Sequence, residues 1–365
     1  MYPLIKRDDS IDAIKGFLII CVVLGHFNYI LLADTGPQQA AILINELIYL
    51  FHIPLFLIVS FIFVKSLSVK VLKNYAKKIL IPYCFWVFIF FQPISMADTI
   101  PNRFKAMLYG TYVMGAGIFW FLAVLFVCKI MLSFYARISV VPKKRQAFWW
   151  VLAGLVGFIY YFYLQLSSLK IVGVTPFNFI MCIYLFPMLF FVNRAYMRKE
   201  YWQKKIPTLF LWVMVSGFIA YLMLLSERAP LHRIDLAQFV IPHRLDLIVA
   251  MVLLWASMML LLDRLFSRFN RVVGYLSRVG FYSLPIYIFH VPVKQFLEDH
   301  VLKIIPENMV WTRVVVAMLV IILTCEFSIA ISWLAMTISE KCNIIGLTKR
   351  PFVPASGSSK SRSVV

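Results

Sequence analysis

The chain has 365 residues, 62% of them hydrophobic and only 14% charged, and a mean hydropathy of +0.86. Soluble domains are about half apolar with about a quarter of residues charged, so this is the composition of an integral membrane protein. The net charge of +20 invites a nucleic-acid reading, which the distribution of that charge removes.

About ten runs are long enough to span a bilayer at roughly 20 residues each. They lie near 13–33, 41–64, 79–97, 118–137, 147–166, 176–192, 207–225, 245–262, 279–297 and 309–336. The first has no small-residue cleavage site and reads as an uncleaved helix. The sixth is short, and 109–117 has the character of a partly re-entrant segment. With the N-terminus in the cytoplasm, 26 of the 36 Lys and Arg fall in the alternating inner segments and the tail. The expectation is therefore an all-α, multi-pass protein with both termini cytoplasmic. The same basic charge can attract anionic lipid or the phosphates of a cofactor. The six cysteines are scattered without a CxxC pair, so neither a disulfide framework nor a metal site is expected. Residues 1–348 read as one membrane domain and 349–365 as a disordered tail rich in Pro, Ser, Gly and basic residues. No internal repeat is visible, which lowers the prospect of a repeat-built transporter.

The first run carries the pattern Asp12-x-x-Lys15-Gly16 and, eleven residues after the lysine, His26. Eleven residues of helix make three turns plus about 20°, so Lys15 and His26 share a face about 16 Å apart along the axis. Lys15 is either an interfacial anchor that snorkels or a functional cation. An intramembrane histidine is a functional-site hypothesis by default; the alternative for His26 is a structural hydrogen bond to a neighbouring helix. As a neutral imidazole it suits general-base work on a hydroxyl.

The second run holds Asn45, Glu46 and His52, followed by Pro54, which releases a backbone carbonyl that needs another partner in a membrane. Glu46 and His52 point about 120° apart, so they do not form a direct pair; Glu46 is placed instead as an orienting partner for His26. Lys65, Lys70, Lys73, Lys77 and Lys78 then form a basic run before Pro82. Most read as topogenic, while Lys77 and Lys78 are placed to meet phosphate as point charges. Lys129 in the fourth run is a counter-charge or reaches the inner surface. The ninth run repeats the His-x-Pro pattern at His290 and Pro292, and Glu326 in the tenth has no obvious partner. Paired proline kinks tuned for packing are one reading of these helices; a water- or substrate-lined centre is the other. No Walker loop, GxSxG elbow, HExxH or dinucleotide fingerprint is present.

In order along the chain these pieces resemble the acyltransferase-3 family of bacterial integral membrane acyltransferases. The matching residues are Asp12, Lys15, Gly16 and His26; Phe51 to Phe56 (FHIPLF); Leu80 to Tyr83 (LIPY); Trp120 to Leu122 (WFL); and Ser283 to His290 (SLPIYIFH). The chain departs from the family pattern at Lys15, where arginine is commoner, at Phe61, where glycine often follows the serine, and at Lys77 and Lys78, where arginines are frequent. The LIPY variant is similar to the sugar O-acetyltransferase branch with its fucose 4-O-acetylase-like proteins.

The resemblance implies transfer of an acyl group, most often acetyl from cytoplasmic acetyl-CoA, to a hydroxyl of a surface polysaccharide or its lipid-linked oligosaccharide precursor. It implies a bacterial inner-membrane protein in contact with lipid and not with nucleic acid. His26 would be general base or transient acyl acceptor, with Glu46, His52 and His290 lining or orienting the centre. Lys15, Lys77 and Lys78 would hold the donor. The alternatives are a transporter or flippase for a lipid-linked sugar or acyl compound, and a non-catalytic organiser of polysaccharide synthesis.

Overall fold

The computed structural model describes residues 9–26, 37–90, 119–168, 177–228, 245–267, 270–301, 304–306, 309–338 and 345–347, and among these no strand occurs. In chain order the helices are α1 (Asp9–Gly25), α2 (Pro37–Phe61), α3 (Val69–Tyr75), α4 (Ile81–Phe90), α5 (Trp120–Ile138), α6 (Pro142–Ser168) and α7 (Phe177–Tyr196). They continue with α8 (Lys199–Lys205), α9 (Thr208–Arg228), α10 (Leu245–Phe266), α11 (Asn270–Phe281), α12 (Ser283–Val301) and α13 (Val310–Ile338). A π-helical turn, Ala76–Leu80, joins α3 to α4. Among the described residues three segments are long and apolar enough to cross a membrane: Trp120–Ile138, Ile248–Phe266 and Thr312–Ile338. A fourth crossing results if the bent pair α11–α12 is counted as one. The tail, with the domain limit set before it, lies outside the described residues apart from 345–347.

The centre of the bundle is α1, against which α2, α10, α11, α12 and α13 all pack. Ile14, Leu18, Ile19 and Val23 on it are wholly buried, as expected of a helix apolar on every side. Its tightest partner is α11. A Cβ on Gly16 would run into the Leu276 carbonyl, and one on Gly280 into the Asp12 carbonyl. Two facing glycines let the backbones touch, the usual route to tight helix association in a membrane.

The lysine-bearing end is clamped by Asp263 of α10, which is buried. Its Oδ1 accepts hydrogen bonds from Tyr196 at 2.7 Å, Lys199 at 2.8 Å and Ser10 at 3.1 Å, and Oδ2 accepts one from Gln203 at 2.6 Å. One carboxylate thus ties α10 to α7, α8 and the start of α1. The neighbouring Arg264 donates to the Gln203 and Ile206 carbonyls at 2.7 and 3.0 Å, satisfying acceptors at the end of α8.

Two expectations change here. The ninth apolar run is not one straight helix: it breaks at Tyr282, and Val272–Phe281 and Ser283–Val301 meet at 82°. Arg271 and Arg278 on α11 favour an amphipathic helix over an apolar span. Glu326 does have a partner: Arg278 grips it with two bonds of 2.7 and 3.3 Å, so Lys129 is not its counter-charge.

Gly280→Val should destabilise the protein by more than about 3 kcal/mol, because the clash is with backbone and not with a movable side chain. Gly274→Ala on the same helix, where nothing crowds the added carbon, should be neutral or slightly stabilising. Thermal unfolding in detergent, monitored by helical circular dichroism, checks both.

Candidate active site

Helix α1 ends at Gly25 and His26 follows in a turn, its N–H donating to the Val23 carbonyl at 3.2 Å. His26 therefore stands at the helix terminus and not in mid-helix as expected. The terminus has free carbonyls and a negative dipole end, and Lys294 of α12 meets it, donating to the His26 carbonyl at 2.6 Å. Lys294 is also paired with Glu298 at 3.1 Å.

His26 and His290 come together, with ring centroids 5.0 Å apart. His290 is wholly buried, and its Nδ1 lies 2.7 Å from the Tyr287 carbonyl. A carbonyl only accepts, so Nδ1 is the donor, and a neutral ring bonded this way keeps its lone pair on Nε2. That Nε2 is buried and has no hydrogen-bond partner. His52 is arranged alike, Nδ1 donating to the Ile48 carbonyl at 2.6 Å, with Tyr49 edge-on at 5.0 Å. The carbonyl that Pro54 releases is that of Leu50, and Trp255 Nε1 donates to it at 2.8 Å. The side chain of Glu46 lies outside the described residues. Its neighbour Asn45 is buried with Oδ1 unpartnered, 3.8 Å from where a Cβ on Gly25 would stand.

At the opposite end of α1 a cavity of about 250 Å³ runs from Asp12 and Lys15 to Val22. Lys15, Lys78 and Lys129 all line it. Lys15 is paired with Asp12 at 3.3 Å, whereas among the described residues no carboxylate pairs with Lys78 or Lys129. Lys129 lies 5.6 Å from the centre of the Tyr75 ring. Lys77 does not line the cavity, so the two adjacent lysines of the π-helical turn separate. Beyond the lysines the walls are apolar: Ile19, Val22, Ile53, Phe56, Phe121, Leu122, Leu125 and Tyr287. Three cations in a small cavity with one carboxylate make a receptor for an anionic, partly apolar ligand. Lys294 is not among the residues that the sequence pattern singles out. The signal for it was its place one turn after His290 and one turn before Glu298.

Replacing Lys294 by Ala should cost about 3–5 kcal/mol by leaving Glu298 buried and unpaired, and the double variant Lys294→Met/Glu298→Leu should recover most of it. A double-mutant cycle of thermal unfolding measures the difference. At the other end, Lys78→Ala should weaken binding of inorganic pyrophosphate about tenfold, and Lys77→Ala should leave it within about twofold; titration calorimetry separates the two.

Comparison with known proteins identifies the family. A family model described as an acyltransferase domain, the acyltransferase-3 family, matches residues 8–333, which takes in the cavity, the histidines and most of α13. No curated protein and no solved structure matches the chain. The chain belongs to the acyltransferase-3 family of membrane acyltransferases.

Proposed function

We propose that the protein is an O-acyltransferase that moves an acyl group, most often acetyl, from acyl-CoA at the cytoplasmic face to a hydroxyl of a surface glycan or its lipid-linked precursor. In this reading it is a multi-pass protein of a bacterial inner membrane, spanning about ten times, with the lysine-bearing end of α1 inside. The observation that carries it is the polarity of α1, with an unsatisfied cationic cavity at one end and a histidine pair holding a free lone pair at the other.

Lys15, Lys78 and Lys129 suit the donor phosphates, acting as point charges. Lys77 lies outside the cavity and serves the surface potential. The apolar walls suit the pantetheine arm. At the histidines the acceptor hydroxyl attacks the thioester carbonyl: a C–O bond forms, the C–S bond breaks, and the hydroxyl proton passes to an imidazole nitrogen. That proton then goes to the departing thiolate, giving free CoA and an ester. His290 Nε2, buried and without a partner, suits the base, and His26 beside it shares the role or takes the acyl group transiently. His52 and Glu46 would orient the centre from α2.

His26→Ala and His290→Ala should each lower acyl transfer by about 10²–10⁴-fold while the protein still reaches the membrane. The assay supplies radiolabelled acetyl-CoA to vesicles and follows label into glycan or protein. Label with the unaltered chain and none with His26→Ala supports the reading; no label from either, across several donors, returns weight to transport of a lipid-linked compound.

A further inference from the structure

Among the described residues four buried side-chain polar atoms lack a hydrogen-bond partner: Asn45 Oδ1, His290 Nε2, Glu298 Oε1 and Trp202 Nε1. The last is a donor and belongs to α8, which the Asp263 clamp holds near the start of α1. The other three are hydrogen-bond acceptors, and all three gather round the opposite end of α1. His290 stands beside the His26 ring, with 5.0 Å between centroids. Asn45 Oδ1 lies 3.8 Å from where a Cβ on Gly25 would be. Glu298 is joined to the same turn through Lys294, which lies 3.1 Å from Glu298 Oε2 and 2.6 Å from the His26 carbonyl oxygen. Each of the three residues is at most 4% exposed, and polar groups buried this well normally find partners within the protein. Three acceptors short of a donor at one place call for a ligand that brings donors.

We infer that Asn45 and Glu298 position the alcohol that receives the acyl group, each accepting a hydrogen bond from a hydroxyl other than the one acylated. The site then takes a polyhydroxy compound and discriminates against one with a single hydroxyl. The inference rests on the acyl-transfer reading above, in which the paired histidines take the proton of the attacking hydroxyl. Geometry sets how many hydroxyls are needed. On α12 Glu298 follows His290 by eight residues, about 12 Å along the axis, and its side chain leans back toward the histidine. Asn45 comes from a different helix, α2. A lone hydroxyl meets one of the three groups; a ring carrying several meets more. Charge sets the kind of donor. Lys294 already neutralises Glu298 at Oε2, so Oε1 is left for a neutral O–H and not for a second cation. The Asn45 amide oxygen, an uncharged acceptor, suits the same partner. Buried polar groups left unpaired reject a ligand unable to fill them far more strongly than an apolar wall does.

The test places the full chain in vesicles made from an envelope extract of the producing cell, which carries the alcohol, diluted to different extents with phosphatidylcholine. Labelled acetyl-CoA is the donor, and rates against extract density and against donor concentration separate the two substrates. Asn45→Leu removes one hydrogen-bond acceptor at similar volume and should lower the rate at limiting extract about tenfold. Asn45→Asp keeps an oxygen there and should recover most of that loss. In Glu298→Gln the amide oxygen must face Lys294, which turns the NH₂ toward the place of Oε1 and puts a donor where an acceptor stood. Its rate at limiting extract should fall about tenfold or more. In all three the KM for acetyl-CoA should stay within about twofold, and His300→Ala, exposed on the same helix, should change neither substrate's dependence. Should the Asn45 variants not accumulate in the membrane, Glu298→Gln, which changes almost no volume, carries the test. Unchanged rates at limiting extract in Asn45→Leu and Glu298→Gln overturn the inference and spare the acyl-transfer reading. So does a loss that raises the KM for acetyl-CoA as much, the mark of a merely structural role. No transfer from any acyl-CoA by the unaltered protein overturns both.

Discussion

A helix enclosed on every side by other helices has no water to satisfy its ends, and α1 is such a helix. Each of its termini is met by a side chain from another element. At the start, Ser10 joins the Asp263 clamp and Ser277 donates to the Asp9 carbonyl at 2.7 Å. At the finish, Lys294 takes the His26 carbonyl. Between these ends the Gly16–Gly280 contact fixes how close α11 can come. The positions of Lys15 and His26 follow from these anchors, and so do the two ends of the site. A shift of α1 along its axis would have to break contacts at both termini and at the glycine pair together.

The same arrangement explains how several like charges are tolerated near the bundle interior. Lys15 is neutralised locally by Asp12, three residues before it, and Lys129 finds the face of Tyr75, an attraction worth about 0.5–2 kcal/mol depending on solvation. Neither arrangement cancels the field of the cavity as a whole, because Lys78 adds a third cation there. An anion entering it is drawn by all three. At the far end of α1 the charge is handled differently: Lys294 is held by Glu298 and by a carbonyl, so it serves to hold structure while the cavity lysines remain available to a ligand.

Much of this was legible in the sequence because the signals are local. Hydropathy placed apolar runs over most of the long described helices, and the eleven-residue spacing separated Lys15, which lines the cavity, from His26, which meets His290. The released carbonyl behind Pro54 was foreseeable; that Trp255 would meet it was not, since the two are 205 residues apart for the bond to Leu50. The Arg278–Glu326 pair is separated by 48 residues and the Lys294–His26 contact by 268, and nothing in a hydropathy profile links such positions. The break at Tyr282 is not legible because the run across it is apolar enough to pass as one segment, while Arg271 and Arg278 lie before the run begins. Lys77 and Lys78 differ only by the rotation of one helical residue, which decides which of them faces the cavity.

The two His-x-Pro helices join these levels. In each, the histidine Nδ1 donates to a carbonyl of its own helix within the preceding turn, Ile48 for His52 and Tyr287 for His290. That bond is local, so it sets the tautomer without help from the tertiary fold and sends the Nε2 lone pair away from the helix. What Nε2 then meets is decided by packing. For His290 the neighbour is the imidazole of His26, carried to it by the anchored end of α1, and the buried nitrogen has no partner of its own. A buried acceptor without a donor costs about 1–3 kcal/mol. The fold bears that cost beside the His26 ring, and a hydroxyl arriving there would relieve it. A sequence pattern thus prepares the base, and a helix docking supplies its companion.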